Sequence, residues 1–361
     1  MPEIPREPLS LTWRRRAKSI PFVFLLGSLV LATLPLTLLA GTGFMIFERK
    51  RGSALRVVGF FAGYLGGEMA VLTVAAVEWL VGLGWTRGGK LRLRRWANWL
   101  GNFWGSYLHH LGWWFFKIRC VPTGLETLDA GGPVIVLLRH TSVGDVVFAP
   151  VFIGVRAGLQ LRYVAKNELR ADPAFDVIGG RLGSCWVNRS SDDPAAEIDK
   201  VCHLLERLDD KQAIVLFPEG TRFTPAKRDQ LRGRLAGRLP PDLVVQARAL
   251  RHLLPPRLGG PVALLERNPG ADIILVNHAG YEGASTFSNL IEGNAVGVQV
   301  KIEFRRIPYA ELPKGREALT HWLFERWTEM DQWIEEHHPA NVTDAVAAVE
   351  ASERDQEINH V

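Results

Sequence analysis

Ile214-Val215-Leu216-Phe217-Pro218-Glu219-Gly220-Thr221-Arg222 sets the fold class of this 361-residue chain. Its first four residues form a short apolar, β-branched run of the kind that makes a buried strand, and Pro218 ends it because proline cannot donate to a ladder. The next residues place a carboxylate, a residue without a Cβ, a hydroxyl and a guanidinium at the strand's C-terminal edge, where open α/β sheets bind ligands. Arg222 can grip a phosphate with two parallel hydrogen bonds. A surface turn closed by a Glu219–Arg222 ion pair is the competing reading.

Some eighty residues upstream, Pro133-Val134-Ile135-Val136-Leu137-Leu138 repeats the buried-strand pattern and delivers His140 to a second sheet edge, before Thr141-Ser142-Val143-Gly144 and Asp145. Five positions on an ideal helix is about 140° of rotation, so His140 and Asp145 would not share a helical face. They meet only if the chain turns between them, as Gly144 and the cap-forming Ser142 allow. Asp145 then holds one ring nitrogen as a donor and leaves the other as a base. This is His–Asp logic without a built-in Ser or Cys nucleophile. The alternative is a satisfied histidine at a strand end with Asp145 as a helix N-cap. No third ligand stands at helical or hairpin spacing, so no metal is expected.

Further apolar runs near 161–165, 184–188, 272–277 and 297–304 alternate with helix-like stretches, notably 194–208 and 311–337. The alternation predicts an α/β fold, a mixed sheet flanked by helices. Residues 227–251 are Arg-rich and broken by Pro240-Pro241; they read either as a solvated helix pair or as part of the access path to the site. His278 ends a strand pattern without an Asp at matching distance and reads as a core or surface histidine.

The N-terminal third has a different composition. Pro21–Phe47 is 27 residues without a charge, longer than the roughly 20 a spanning helix needs and too long for a signal h-region. A second apolar segment, about Val57 to Trp85, carries Glu68 near its middle, which is costly in lipid and is expected to face the other helix or the protein; a core helix is the competing reading. Residues 95–118 hold Trp96, Trp99, Phe103, Tyr107, Leu111, Trp114 and Phe115 at spacings of three or four. That predicts a helix with an aromatic face, either interfacial or packed on the soluble domain.

Basic residues precede the first segment (Arg14, Arg15, Arg16, Lys18), separate the two (Arg49, Lys50, Arg51, Arg56) and follow the second (Arg87, Lys90, Arg92, Arg94, Arg95). Positive charge marks the cytoplasmic side, so either the hairpin spans with both ends inside or both segments dip in and return. The catalytic domain is cytoplasmic in both cases. The expected organisation is a membrane-anchoring module at 1–119, a catalytic domain at 120–338 and an acidic tail at 339–361. A net charge of +5 suggests an anionic surface as partner. That surface is lipid rather than nucleic acid, because the cations cluster beside the apolar segments and no nucleic-acid motif is present. Cys120, Cys185 and Cys202 lack metal or redox spacing and fit reduced thiols.

Taken together, these motifs resemble the 1-acylglycerol-3-phosphate acyltransferase family of membrane glycerolipid acyltransferases, over roughly residues 120 to 337. His140 and Asp145 match its first motif, although the family usually carries Asn where this chain has Arg139. Gly183-Ser184-Cys185-Trp186-Val187-Asn188-Arg189 resembles its second block at the end residues. Phe217 to Arg222 matches the third block without a change. Lys166 sits where the family tends to carry a basic residue, and 223–228 and 252–260 look like segments that close the acceptor site.

The resemblance implies a glycerol-3-phosphate acyltransferase-like fold and direct transfer without an acyl-enzyme. His140 would deprotonate the free hydroxyl of lysophosphatidic acid, and the alkoxide would attack the thioester of acyl-CoA or acyl carrier protein. Asp145 would orient the imidazole, while Glu219, Gly220, Thr221 and Arg222, with Arg189 and Lys166, would position the glycerol phosphate. No cofactor beyond the acyl donor is implied. Another lysophospholipid as acceptor, a membrane-bound lipid hydrolase and a non-catalytic membrane scaffold remain as alternatives.

Overall fold

Strand formation follows the apolar runs. In the computed structural model, which describes residues 7–48, 53–82, 84–235, 237, 239–282 and 287–338, seven strands are present: β1 (Arg119–Thr123), β2 (Val134–Leu138), β3 (Gln160–Lys166), β4 (Cys185–Val187), β5 (Gln212–Leu216), β6 (Asp272–Ala279) and β7 (Gln299–Ile307). They form one mixed sheet in the order β1-β7-β6-β2-β5-β3-β4. β6 and β7 are antiparallel, and every other neighbouring pair is parallel.

β2 lies at the centre, and all five of its side chains have 0% exposure. Each such aliphatic contributes roughly 1.5–3 kcal/mol on burial. A strand covered on both faces reads as unbroken apolar sequence rather than an alternation. Its residues divide between two cores. Ile135 and Leu137 pack with Ile214, Leu216, Ile273 and Leu275 under Val262, Leu264, Trp322 and Trp327. Val134, Val136 and Leu138 face the opposite side, with Val215, Val276, Phe116, Phe148 and Ile153.

Ten helices accompany the sheet among the described residues: α1 (Leu9–Glu48), α2 (Ser53–Val81), α3 (Arg87–Phe116), α4 (Pro173–Leu182), α5 (Pro194–Cys202), α6 (Pro225–Arg232), α7 (Pro241–Ala249), α8 (Gly259–Glu266), α9 (Phe287–Glu292) and α10 (Arg316–His337). Several differ from expectation. α1 begins at Leu9 and runs through Pro21, because its first turns are held by ions rather than by apolar contact. Asp176 on α4 accepts from Arg15 (2.9 Å), Arg16 (2.7 Å) and Arg170 (2.8 Å). Two of the basic residues read as marking membrane orientation therefore sit in an internal network.

α3 starts at Arg87, with Thr86 capping Gly89 N at 2.9 Å, so the basic stretch and the aromatic face belong to one helix. α4 and β1 have no counterpart in the sequence reading. α4 mixes polar and apolar residues over only ten positions, and β1 is an edge strand with a mostly uncovered pattern and an internal Pro122. Residues 227–251 form the short helix pair α6 and α7.

Leu9–Thr42 and Ala54–Val81 are long and apolar enough to cross a membrane. α2 is nevertheless lined by protein along much of its length. Val57 belongs to the core that contains Phe116, Glu68 (2% exposed) accepts from Ala174 N, and Glu78 pairs with Arg181 at 2.9 Å. α1 lies outside it, with Phe22, Leu25, Leu29, Leu36 and Leu39 exposed. Arg49, Lys50 and Arg51 of the intervening basic cluster and the acidic 339–361 segment lie outside the described residues.

Candidate active site

Strand polarity assembles the site. β2, β3, β4, β5 and β6 run parallel, so the residues following them emerge along one sheet edge. His140 follows β2, Lys166 ends β3, Arg189 lies two positions beyond β4, and Glu219 to Arg222 follow β5.

Between His140 and Asp145 the chain makes the required turn. Ser142 caps the 3₁₀ turn Val143–Val147 in a reciprocal capping box with Asp145. Asp145 is fully buried, and its Oδ2 accepts from Thr141 N at 2.7 Å and Ser142 N at 2.9 Å. His140 Nδ1 lies 3.1 Å from Asp145 Oδ1 and 3.2 Å from Oδ2. Since a carboxylate only accepts, that contact places the proton on Nδ1 and leaves Nε2 as the basic nitrogen. The imidazole keeps 20% exposure, and the Phe217 ring lies 4.4 Å away, centroid to centroid. A Cβ at Gly144 would lie 3.0 Å from the Tyr281 ring, tighter than ordinary van der Waals contact.

The residues after β5 have unequal roles. Glu219 departs from its expected place on the substrate phosphate. It is buried, and its Oε1 accepts from His140 N at 2.8 Å while Oε2 accepts from Leu254 N at 2.9 Å. Both oxygens are directed at backbone rather than at an open surface, so Glu219 ties the His140 turn to segment 250–258. Burial drives its carboxyl up to about 8, against the pull of those two donors and of Arg139. Gly220 adopts φ +73°, and a Cβ there would lie 2.5 Å from Arg257 Nε. It therefore lets Arg257 cross close over the turn. Thr221 Oγ1 and the Arg222 carbonyl each accept from Lys227 Nζ at 3.2 Å.

The cations converge. Lys166 is lowered from the usual lysine range first by partial desolvation and then by the charges of Arg189, Lys227 and Arg257, with Glu168 opposing. Arg189 is exposed, yet desolvation of its charged end and the Arg257 charge pull it down. Lys227 is lowered by desolvation and by Arg222. Mutual repulsion of this kind is the sort that a bound anion relieves. Lys227 and Arg257 were not singled out in the sequence. They lie in segments recognised only as closing the site, and no local pattern separates them from the chain's other arginines.

His278, read from the sequence as a core or surface histidine, is a core one. It is fully buried, with Nε2 3.3 Å from the Arg139 carbonyl oxygen and 3.7 Å from Asp145 Oδ2. Burial and then the Arg139 charge push it down to about 4, so it is neutral near pH 7. Arg139 itself, where Asn is usual, is a buried guanidinium. It donates to the His278 carbonyl, to Glu282 Oε1 at 2.6 Å and to the His252 carbonyl at 3.1 Å.

Fold and site together define an α/β protein that presents a His–Asp pair beside a cationic sheet edge. Comparison with known proteins gives the family. A family model described as Acyltransferase matches residues 119–259, and one described as Acyltransferase C-terminus matches 289–356. The chain belongs to the acyltransferase family.

It is 25% identical over 215 residues to mouse 1-acyl-sn-glycerol-3-phosphate acyltransferase epsilon, covering 57% of this chain and 58% of that one. It is 24% identical over 184 residues to an uncharacterized acyltransferase of Schizosaccharomyces pombe, covering 47% of this chain and 49% of that one. The chain thus spans about half the length of the curated relatives it matches. The crystal structure of PlsC, the 1-acyl-sn-glycerophosphate acyltransferase of Thermotoga maritima, superposes with a TM-score of 0.51 at 12% identity, covering 78% of this chain and 96% of that one. The fold is therefore that of PlsC.

Proposed function

We propose that the protein transfers an acyl chain from a thioester donor, acyl-CoA or acyl carrier protein, to the free hydroxyl of lysophosphatidic acid, giving phosphatidic acid. The observation that carries this reading is the His140–Asp145 pair at 3.1 Å, set on the same sheet edge as five cations. Nε2 of His140 takes the hydroxyl proton as the oxygen attacks the thioester carbonyl, and Asp145 supports the imidazolium that forms. The proton passes to the departing thiolate when the tetrahedral intermediate collapses. Arg222, Lys166, Arg189, Lys227 and Arg257 hold the acceptor's phosphate, and Gly220 and Thr221 shape the turn beneath it. The thioester is already activated, so a positioned base adds roughly 10²–10⁴-fold to the effect of proximity. No metal or further cofactor enters this scheme.

The site faces the cytoplasm, where acyl thioesters are available, and the N-terminal helices hold it on the bilayer. The protein lining α2 favours a hairpin that dips in and returns over one that projects alone through lipid. α1 forms the outer, lipid-facing side. The exposed Trp99, Phe103, Trp113 and Trp114 of α3 suit the headgroup level, where amphipathic rings partition.

The test is an assay of the protein purified in detergent or lipid with acyl-CoA or acyl carrier protein and a panel of lysolipids, measuring thiol release and diacyl product. Transfer to lysophosphatidic acid is expected, with turnover lost in His140→Ala and the acceptor KM raised in Arg222→Ala. Undiminished product from His140→Ala would refute the mechanism, and thiol release without diacyl product would favour a hydrolase.

A further inference from the structure

The loops around His140 meet at a second charged residue. Arg139 is 0% exposed and lies immediately before His140. From the end of β2 its guanidinium reaches two other backbone segments, the end of β6 through the His278 carbonyl and segment 250–258 through the His252 carbonyl at 3.1 Å. Glu282, with 6% side-chain exposure, closes the arrangement. Its Oε1 accepts from Arg139 at 2.6 Å and its Oε2 from Gly280 N at 2.7 Å. Burial raises the Glu282 carboxyl, but the Arg139 charge and hydrogen bond overcome that and bring it down to about 2, so the carboxylate is ionised throughout the neutral range.

We propose that Arg139 and Glu282 are positioning residues, a buried ion pair that fixes the end of β2 against the turn after β6 and against segment 250–258, so that His140 and Arg257 face one acceptor in register. The chemistry of the three carbonyl and carboxylate partners calls for arginine. Asn is too short and has too few donors to serve the His278 and His252 carbonyls and a carboxylate together. Segment 250–258 is also held by Asp331, which accepts from Arg251 N and His252 N at 2.8 and 2.7 Å, by Glu219, by Trp327 Nε1 donating to the Leu254 carbonyl, and by Arg257 N donating to the Pro218 carbonyl. The ion pair links those contacts to the catalytic turn. It also balances charge near His140, among Asp145, the raised carboxyl of Glu219, neutral His278 and, at 4.0 Å beyond Glu282, His338.

The proposal rests on the acyl-transfer reading, and its test separates the two. If wild-type protein gives no diacyl product, that reading fails. If wild type turns over, the experiment compares Glu282→Gln, Arg139→Gln and the double variant as purified full-length proteins. Each single variant is expected to lose about 10²-fold in kcat, the scale of an ångström-level misplacement, with the donor KM unchanged. The acid limb of the kcat pH profile is expected to move in opposite directions. Glu282→Gln leaves Arg139 uncompensated, disfavours the imidazolium and moves the limb to lower pH; Arg139→Gln leaves the carboxylate and moves it higher, each by about one unit. In the double variant the limb returns toward wild type while kcat stays low.

Wild-type kcat in both single variants, or limbs that stay in place or move together, overturns the proposal. Should the single variants not fold, Arg139→Met with Glu282→Leu removes both charges and avoids an unpaired ion. A folded double variant with lowered kcat supports the positioning role, and one with full kcat refutes it.

Discussion

Asp145→Asn tests the catalytic reading most sharply, because the structure separates its structural role from its chemical one. Oδ2 accepts from Thr141 N and Ser142 N, at 2.7 and 2.9 Å, and an asparagine carbonyl can keep both. The turn should therefore survive, with a melting temperature within a few degrees of wild type. The other side-chain atom becomes an NH2 donor toward His140 Nδ1. The imidazole must then accept at Nδ1 and carry its proton on Nε2, the nitrogen that has to take the hydroxyl proton.

The electrostatic loss has a similar consequence. A carboxylate and an imidazolium 3.1 Å apart attract by about 5 kcal/mol at an effective dielectric of about 20, or nearly four decades in rate. Loss of the tautomer-holding Asp in the serine protease triad costs about 10⁴ as well. Initial rates of diacyl product formation from lysophosphatidic acid should fall by about 10⁴, with little change in acceptor KM. A folded Asn variant retaining more than a tenth of wild-type kcat would mean that Asp145 is a helix cap and nothing more.

Two further perturbations probe the site's surroundings. Gly220→Ala introduces a side chain at φ +73° and within 2.5 Å of Arg257 Nε; about 1–2 kcal/mol of backbone strain is expected, together with an acceptor KM raised about tenfold as Arg257 swings aside, read by denaturant unfolding and steady-state kinetics. Asp176→Asn removes the carboxylate that three arginines share and is expected to destabilise by about 3 kcal/mol, loosening α1, with thermal unfolding in detergent as the measurement. Burial raises the Asp176 carboxyl, but Arg16, Arg170 and Arg15 hold it below the usual range. Its stabilising contribution is therefore present above the unfolded carboxylate pKa and is lost as pH falls through the lowered value. The wild-type melting temperature should decline on acidification and the Asn variant should decline less; equal slopes would contradict the network.

Arg139 shows what a motif comparison conveys and what it omits. As a departure from the usual Asn, it marks a position that differs without indicating why. In the folded chain its partners are carbonyls at His252 and His278 and a carboxylate at Glu282, 113 to 143 positions away. Glu219 teaches the reverse. Its place in an unchanged motif suggested contact with substrate, whereas its geometry makes it a buried acceptor for two backbone N–H groups.

The sequence by itself determined the sheet-forming runs and the apolar N-terminal helices, and it permitted the His140–Asp145 turn. Each of these follows from interactions within a few residues: burial of β-branched side chains, helical periodicity and Ser142 capping. β1 and α4 escaped it because an edge strand and a short mixed helix carry little periodic signal. Only the tertiary structure decided that Lys227 and Arg257 join the cation cluster, that His278 lies behind Asp145, and that Arg15 and Arg16 bind Asp176 rather than stand free as topology signals. Those relations depend on strand order and on contacts between segments distant in the chain, and no local propensity encodes which arginine will reach which carboxylate.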